Sequence, residues 1–245
     1  MHMIKSTLNI DNNTMHSFLS TIRIALFLVL MIVSSGIFAQ KYSAEIGFIQ
    51  PQRYGNDFKS DFFNGVRMGA HVEFDLGKNF TLLSGTLYSV VYSRNSQYYT
   101  PTDSVVYQTF NHSIHIPVQA YYYLPVSKNF KFLAFAGPTV SVGLAEPQKV
   151  TASISASNKA EIEGIIPENM KGFMRTESAT YRDNDLYAKS LIRRINFQIT
   201  VGGGIQFKNY QLKAGYDFGI NSINKVDTNS ILRQRGWFTS FVYKF

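Results

Sequence analysis

The chain of 245 residues contains no cysteine. This absence excludes a thiolate nucleophile, a disulfide framework, a cysteine-based zinc site and a lipid-modified N-terminal cysteine. Charged residues are scarce at 16%, and there is a single tryptophan beside 20 phenylalanines, 15 tyrosines and 17 glycines. Such a composition favours β-strands that carry aromatic girdles over a helical enzyme.

The excess of positive charge does not indicate a protein that binds nucleic acid. The formal net charge is +8, but the basic residues are scattered and only Arg193 and Arg194 are adjacent. The sequence has neither a basic helix nor an aromatic and basic segment of the kind that binds DNA or RNA. We therefore expect no nucleic-acid partner.

The N-terminal segment has the features of a targeting signal. Residues 22–33 are almost purely apolar and are followed by Ser34, Ser35 and Gly36 and then by Phe38-Ala39-Gln40. The run is too short to span a bilayer comfortably, so it predicts a signal peptide over residues 1–39 that is cleaved after Ala39. An uncleaved N-terminal anchor is the alternative, and Met15 competes with Met1 as the true start.

Eight segments of the remaining chain alternate between apolar and polar side chains, which is the pattern of β-strands with one apolar face. The clearest is residues 66–76, where apolar side chains at even positions alternate without a break with mostly polar ones at odd positions. The predicted strands cover residues 42–49, 66–76, 80–94, 112–124, 130–144, 194–207, 210–220 and 236–245.

The connections between these strands alternate between short and long. Turns of two to five residues alternate with polar connections at about residues 50–64, 95–110, 145–190 and 221–235. Outer-membrane barrels combine an even strand number with short periplasmic turns and long outer loops, whereas a β-sandwich has no reason to sort its connections. We predict that residues 40–245 form one all-β domain, an eight-stranded antiparallel up-and-down transmembrane β-barrel. Eight strands leave room only for side chains inside, so we expect a polar, plugged interior.

The last predicted strand ends in a row of aromatic side chains. Trp237, Phe241, Tyr243 and Phe245 fall on one side of the strand. An exposed aromatic edge invites aggregation in a soluble domain but suits a strand that closes a barrel in lipid. The ending resembles the C-terminal strand by which outer-membrane barrels are recognised for assembly, so we predict an assembly role for these residues. The last strand of a sandwich is the alternative.

Several stretches resemble the PorT-like outer-membrane β-barrel family of Bacteroidota. They are Ala39-Gln40, the sequence HIPVQAYYYL at residues 115–124, Gly137-Pro138, the glycine-rich sixth strand and the aromatic C-terminus. The resemblance covers nearly the whole chain after the signal and implies a location in the outer membrane of a Gram-negative bacterium. Because one branch of the family is implicated in secretion, it also implies a role as an accessory of protein secretion.

If the polar faces of the strands point inward, the barrel encloses five basic and four acidic side chains. Charges removed from water persist when they are paired and hydrogen-bonded, so we expect a nearly balanced lumen charge ladder. A proton or ion path through the same groups is the alternative. The predicted ladder consists of Glu45, Arg67, Glu73, Asp75, Lys131, Arg194, Lys213, Asp217 and Lys244.

The sequence offers no convincing catalytic centre. His112, Ser113 and His115 invite comparison with barrel lipases and lipid A deacylases, but the two imidazoles fall on opposite faces of one strand and no carboxylate is placed to orient them. The glycine run at residues 202–204 lies inside a strand and lacks the spacing of a dinucleotide fingerprint. We therefore predict no enzymatic activity, no cofactor and no metal site.

These observations predict a structural or interaction component of the cell envelope. The expected partners are outer-membrane lipid and lipopolysaccharide, the barrel-assembly machinery, and secretion or envelope proteins that dock on the mixed-charge connection at residues 145–190. A mobile, solvated loop is the alternative for that connection. A small-solute channel and a lipid-modifying barrel enzyme are the alternative functions.

Overall fold

The computed structural model describes residues 40–55, 61–98, 104–153, 178–225 and 231–245. The predicted signal peptide, residues 1–39, lies outside the described residues. In the part of the chain that is described, no helix is long and apolar enough to cross a membrane. The described strands are β1 (Gln40–Gly55), β2 (Asp61–Phe62), β3 (Asn64–Gly77), β4 (Phe80–Tyr98), β5 (Ser104–Pro125), β6 (Phe130–Ala145), β7 (Pro147–Ser153), β8 (Ser178–Asp185), β9 (Ile195–Phe207), β10 (Tyr210–Gly219) and β11 (Leu232–Lys244).

Eight long strands of the described residues form a closed ring. Their order around the ring is β1, β3, β4, β5, β6, β9, β10 and β11, and β11 returns to β1. The closing pair is antiparallel and runs from Ser43 opposite Lys244 to Gly55 opposite Leu232. Closure satisfies the backbone hydrogen bonds of both edges, as a lipid environment requires. The eight-stranded antiparallel up-and-down barrel predicted from the sequence is confirmed.

The side chains that point outward form an apolar band, and the large apolar residues on it are exposed. Aromatic pairs lie on this band near both ends of the strands, as in the two girdles of transmembrane barrels. Near the ends joined by short turns the pairs are Phe80 with Tyr122 and Tyr210 with Tyr243; near the opposite ends they are Phe48 with Trp237 and Tyr92 with Phe110.

Three short turns lie at one end of the barrel, which we call the short-turn end. One of them joins β3 to β4 through Lys78 and Asn79, whose φ angles of 49° and 69° are those of a type I′ hairpin turn. Asp75 accepts a hydrogen bond from the backbone N–H of Gly77 at 2.9 Å and supports this turn. The long connections lie at the opposite end, which we call the long-connection end.

The strands extend further into the long connections than the sequence predicts. Strand β1 does not stop at Pro51, and its continuation to Gly55 pairs with β11, which begins at Leu232. Strands β4 and β5 pair up to Tyr98 opposite Ser104. The polar composition of these segments suggested loops, but their backbones extend ladders that the neighbouring strands have already begun.

The prediction that residues 145–190 form one loop is wrong at both ends. Strand β7 pairs with the upper part of β5 and with β8, and β8 is followed by a turn that leads to β9. These strands lack a sustained apolar period because they lie beyond the barrel wall; cross-strand pairing orders them instead. The centre of the connection, residues 154–177, lies outside the described residues.

A cluster of apolar side chains fills part of the barrel interior. Tyr121 stacks on Phe135 at 4.9 Å between ring centroids, and Phe135 lies 6.2 Å from the ring of Phe238. Glycines on the facing strands make the space for these rings, because a Cβ at Gly202 would meet Phe135 and one at Gly215 would meet Phe238. The interior is therefore plugged by side chains, as predicted for eight strands.

Candidate functional site

The centre of the interior is organised around Glu45 on β1. Arg67 donates two hydrogen bonds to one carboxylate oxygen, from Nε at 2.9 Å and Nη2 at 2.6 Å. The other oxygen lies 2.7 Å from His71 Nε2 and 2.7 Å from Lys213 Nζ. All four side chains are buried. They meet because β1, β3 and β10 each direct alternate residues inward.

Aromatic rings cover the two cations of this central cluster. The guanidinium of Arg67 lies 3.5 Å from the ring centroid of Phe238, and Lys213 Nζ donates a hydrogen bond to the Tyr121 hydroxyl at 3.0 Å. Ring faces and hydroxyl groups take over part of the stabilisation that water gives to exposed cations. The charges are thus held in fixed positions by packing as well as by pairing.

A chain of hydroxyl, amide and imidazole groups continues toward the long-connection end. His115 contacts Ser89 at 2.8 Å through Nε2 and Ser141 at 2.7 Å through Nδ1. Ser141 donates to Gln198 at 3.0 Å, so its oxygen accepts from Nδ1–H of His115 and, in the neutral imidazole, Nε2 accepts from Ser89. Both ring nitrogens are therefore engaged by serines.

Asp217 is also buried and lies in the same part of the interior as His115, Arg67 and Lys213. Thr200 donates a hydrogen bond to its carboxylate at 2.6 Å, and Thr200 in turn contacts Thr139 at 2.9 Å. A small cavity beside it is lined in part by Arg67 and Lys213. The two cations and the two carboxylates of Glu45 and Asp217 give this level of the barrel a balanced charge.

At the short-turn end, Lys244 joins the interior to an open cavity. Its ammonium group lies 2.7 Å from Glu73 Oε2 and donates to the Tyr123 hydroxyl at 2.9 Å. Gln211 also donates to this hydroxyl, at 3.1 Å. Asp75 and lysines of neighbouring strands and turns line this cavity between the pair and the rim of the short-turn end.

At the long-connection end, a buried ion pair fixes the junction between β6 and β7. Arg53 on β1 binds both carboxylate oxygens of Glu146, whose side chain is fully buried. Asn111 donates to Glu146 and to the Tyr187 hydroxyl, each at 2.7 Å. Burial, together with the nearby Glu146 carboxylate, raises the pKa of Tyr187 to about 12, so the phenol stays neutral.

The nine residues of the predicted charge ladder do not lie in one environment. Glu45, Arg67, Lys213 and Asp217 lie at the centre, and Glu73 and Lys244 form a pair below it. Asp75 is exposed at the short-turn end, and Lys131 is half-buried there. Arg194 is also exposed; it precedes β9 at the long-connection end and donates to the backbone oxygen of Leu144 at 2.6 Å. A joint role for the nine residues stays a prediction.

The buried pair of Arg53 with Glu146 was not predicted from the sequence, because both residues lie in segments predicted to be loops. Arg53 had a detectable signal: it keeps the odd-numbered inward phase of Glu45 and Ile49 if β1 is continued through Pro51. Glu146 had none, since it lies in the break between β6 and β7. The serines that contact His115 could not be predicted from the sequence either, because they come from two other strands.

The two histidines of β5 point in opposite directions. His115 is buried inside, whereas His112 lies on the outer face and contacts the Tyr88 hydroxyl at 2.7 Å through Nδ1. Ser113 points inward and donates to Asn111. The three residues therefore do not assemble into a serine–histidine pair.

The predicted assembly residues of β11 all point outward and are exposed. Trp237 donates from Nε1 to Gln50 on β1 at 2.6 Å, and Tyr243 and Phe245 pack edge to face at 5.3 Å. The backbone N–H of Phe245 donates to the carbonyl of Tyr42 at 2.9 Å. These contacts place the aromatic row at the seam between the first and last strands.

The sequence matches the family model described as "Outer membrane protein beta-barrel domain" over residues 34–225. The chain belongs to this family. It is therefore an outer-membrane β-barrel protein, and its short-turn end faces the periplasm by the rule that such barrels obey. No curated protein is significantly similar to it in sequence.

Solved structures similar to this outer-membrane barrel are distant. Ail, the attachment invasion locus protein of Yersinia pestis, is 12% identical with a TM-score of 0.35, covering 85% of this chain and all of Ail. Neisserial surface protein A is 13% identical with a TM-score of 0.37, covering 84% of this chain and 99% of that one. The outer membrane protease OmpT of Escherichia coli is 9% identical with a TM-score of 0.40, covering 84% and 97%. The assignment of the fold rests on the strand pairing and the family match.

Proposed function

We propose that this protein is a structural or interaction component of the outer membrane that acts through its outer surface rather than by catalysis or transport. The observation that carries the proposal is the contrast between the two parts of the barrel. The interior is filled by paired charges and aromatic rings, whereas the polypeptide is elaborated at the long-connection end by β7, β8 and the turn after them. Binding surfaces commonly lie on such additions to a rigid scaffold.

A partner protein is proposed to dock on the outer segment at residues 145–190. The Arg53–Glu146 pair and Tyr187 attach the described ends of this segment, at β7 and at the turn after β8, to the barrel. The resemblance to PorT-like barrels of Bacteroidota supports a secretion or envelope protein as the partner, with this chain as an accessory of secretion. A presented surface with restricted motion loses less conformational entropy on binding.

Lipopolysaccharide is proposed as the lipid partner, on the strand pair that closes the barrel. Arg233 and Arg235 lie in the same outward phase of β11 as Trp237, just beyond the girdle. Arg235 is held by Gln52 at 3.1 Å and by the ring of Tyr54. Arginine side chains at this depth suit the phosphates of outer-leaflet lipid. The assembly machinery is proposed to recognise the seam below these arginines, which includes Phe245.

Site-specific crosslinking in intact cells tests the docking proposal. A photo-reactive amino acid at Lys149, on β7, is expected to give a discrete crosslinked protein, whereas the same probe at Lys128, in the short turn between β5 and β6, is not expected to give that product. An identical adduct from both positions, or none from Lys149, contradicts a specific partner at the outer surface. Single-channel recordings with a steady open current would instead favour a small-solute channel, and an altered lipid A mass spectrum a lipid-modifying enzyme.

A further inference from the structure

The short-turn end of the barrel opens into a cavity of about 430 Å³. This volume lies within the range of small-molecule binding sites. Its wall is built from the last inward-facing residues of the strands and from two short turns, and its floor is formed by Tyr123 with the Lys244–Glu73 pair. We call this space the lysine vestibule.

The lysine vestibule differs from the buried clusters described above because its charge is not balanced. Five lysines line it, against the carboxylates of Glu73 and Asp75. At the centre two carboxylates face two cations, and at the long-connection end Arg53 faces Glu146. The residues that line this concave space, including those at its rim, thus carry an excess of three positive side-chain charges. The lysines are Lys41, Lys78, Lys131, Lys208 and Lys244.

Most of these lysines have no acidic partner among the described residues. Lys244 is paired with Glu73. The ammonium group of Lys131 lies 5.8 Å from the ring centroid of Tyr123 on the floor, whereas that of Lys208 lies 5.6 Å from the outward-facing ring of Phe207, at the rim. The walls of the barrel have a low dielectric constant and focus the field of these charges into the cavity. An anion that enters it gains from several cations at once.

The floor of the vestibule also presents a hydrogen-bond donor. The oxygen of the Tyr123 hydroxyl accepts from Lys244 at 2.9 Å and from Gln211 at 3.1 Å. Because both acceptor positions of the oxygen are occupied, its own hydrogen is left to donate to another group. A ligand oxygen is a suitable acceptor at this position.

We propose that the lysine vestibule is an anion-binding site open to the periplasm, and that it takes a small ligand with two or more phosphate or carboxylate groups. Lysines on separate strands and turns act as point charges that surround a polyanion, and the Tyr123 hydroxyl binds one of its oxygens. Such binding is independent of any partner at the outer surface.

The test is a calorimetric titration of the full protein, purified from outer membranes in a zwitterionic detergent, with pyrophosphate and separately with citrate at low ionic strength. Saturable binding of one molecule is expected for at least one of the two anions, and the responding anion identifies the phosphate or carboxylate chemistry. The Lys41→Gln/Lys131→Gln variant is expected to bind about tenfold or more weakly, because two of the cations are removed. Heat-shifted migration on gels checks that the variants remain folded.

The matched control is Lys149→Gln/Lys225→Gln, which makes the same charge change outside the vestibule and is expected to bind like the wild-type protein. Absence of saturable binding for both anions overturns the proposal. So does an equal loss of affinity in the control, since net charge alone would then explain the binding. Binding to phosphatidylglycerol vesicles but to neither small anion also overturns it, because the lysines would then contact lipid headgroups around the rim.

Discussion

Glu45 is the residue on which the interior charge balance most depends. It is the shared partner of Arg67, His71 and Lys213, each of which is buried. Replacing a buried ion pair by apolar residues is often neutral, but removing one partner leaves the remaining charges without compensation. The consequence of losing the carboxylate therefore exceeds the value of any single pair.

We expect Glu45→Gln to lower the free energy of unfolding by about 3–5 kcal/mol, the usual cost of breaking a buried ion pair from one side. The measurement is guanidinium unfolding of the detergent-refolded barrel, followed by the heat-shifted band. The control is Asp75→Asn, which removes an exposed carboxylate and keeps an oxygen that accepts from Gly77, and it is expected to cost less than about 1 kcal/mol. Equal losses in both variants would mean that Glu45 contributes no more to the free energy of unfolding than an exposed carboxylate does.

The inward direction of these charges was predictable, whereas their partners were not. Alternation along each strand is a local property, so Glu45, Arg67 and Lys213 could be assigned to the polar face from the sequence. Which of them meet depends on the register between strands far apart in the chain. That register is set by the pairing of β1 with β11 and of β11 with β10, and no local pattern records it.

At the scale of the element, β11 is the strand that makes the barrel a closed object. It pairs with β1 on one side and β10 on the other, and its outward aromatic row lies along that seam. The strand ends were harder to predict than the strands, because β1, β4, β5 and β11 continue beyond the membrane where the apolar alternation stops. There the ladder already formed in the barrel directs the backbone.

Phe245→Ala is expected to reduce the amount of protein assembled in the outer membrane and to raise the degraded or periplasmic fraction. It removes an aromatic side chain that is 74% exposed to the surroundings at the interface beside the closing seam. We estimate that this side chain contributes about 1–2 kcal/mol to the stability of the inserted barrel. The amount of heat-shifted protein in outer-membrane fractions measures this.

The control for this experiment is Phe207→Ala, which makes the same change at the end of β9, on the same girdle but away from the seam, and is expected to assemble normally. Equal levels of folded protein for the two variants would mean that the row on β11 has no special part in assembly. Lys244→Ala is unsuitable as a control, because Lys244 binds Glu73 and Tyr123.

The junction between β6 and β7 gives a second prediction at this scale. Glu146→Gln weakens the bidentate contact with Arg53, so the outer segment is expected to open more often and to be cut about tenfold faster by protease added to whole cells. Lys149→Gln, which also removes one charge but on β7 itself, is expected to be cut at the wild-type rate. Unchanged cleavage in Glu146→Gln would show that pairing with β5 alone holds the segment.

For the whole molecule, closure of the sheet predicts resistance to detergent. The protein is expected to fractionate with the outer membrane and to migrate faster on SDS gels unboiled than boiled, since β11 pairs with β1 and closes the sheet. Recovery in the inner membrane without a heat shift would contradict the closed barrel.

The orientation of the whole molecule is tested by limited proteolysis of intact cells. The first cut is expected within residues 145–190, because this long connection faces outward. A first cut in the turn at Lys78 and Asn79 would show that the barrel is inserted the other way round.

The continuity of β5 gives the molecule a mechanical property. This single strand of 22 residues pairs with β6 inside the membrane and with β7 outside it. A partner that pulls on β7 along the strand direction therefore loads several cross-strand hydrogen bonds in shear at once, and they must break together rather than one after another. Strand β7 is therefore attached to the barrel in the geometry that best resists traction at the cell surface.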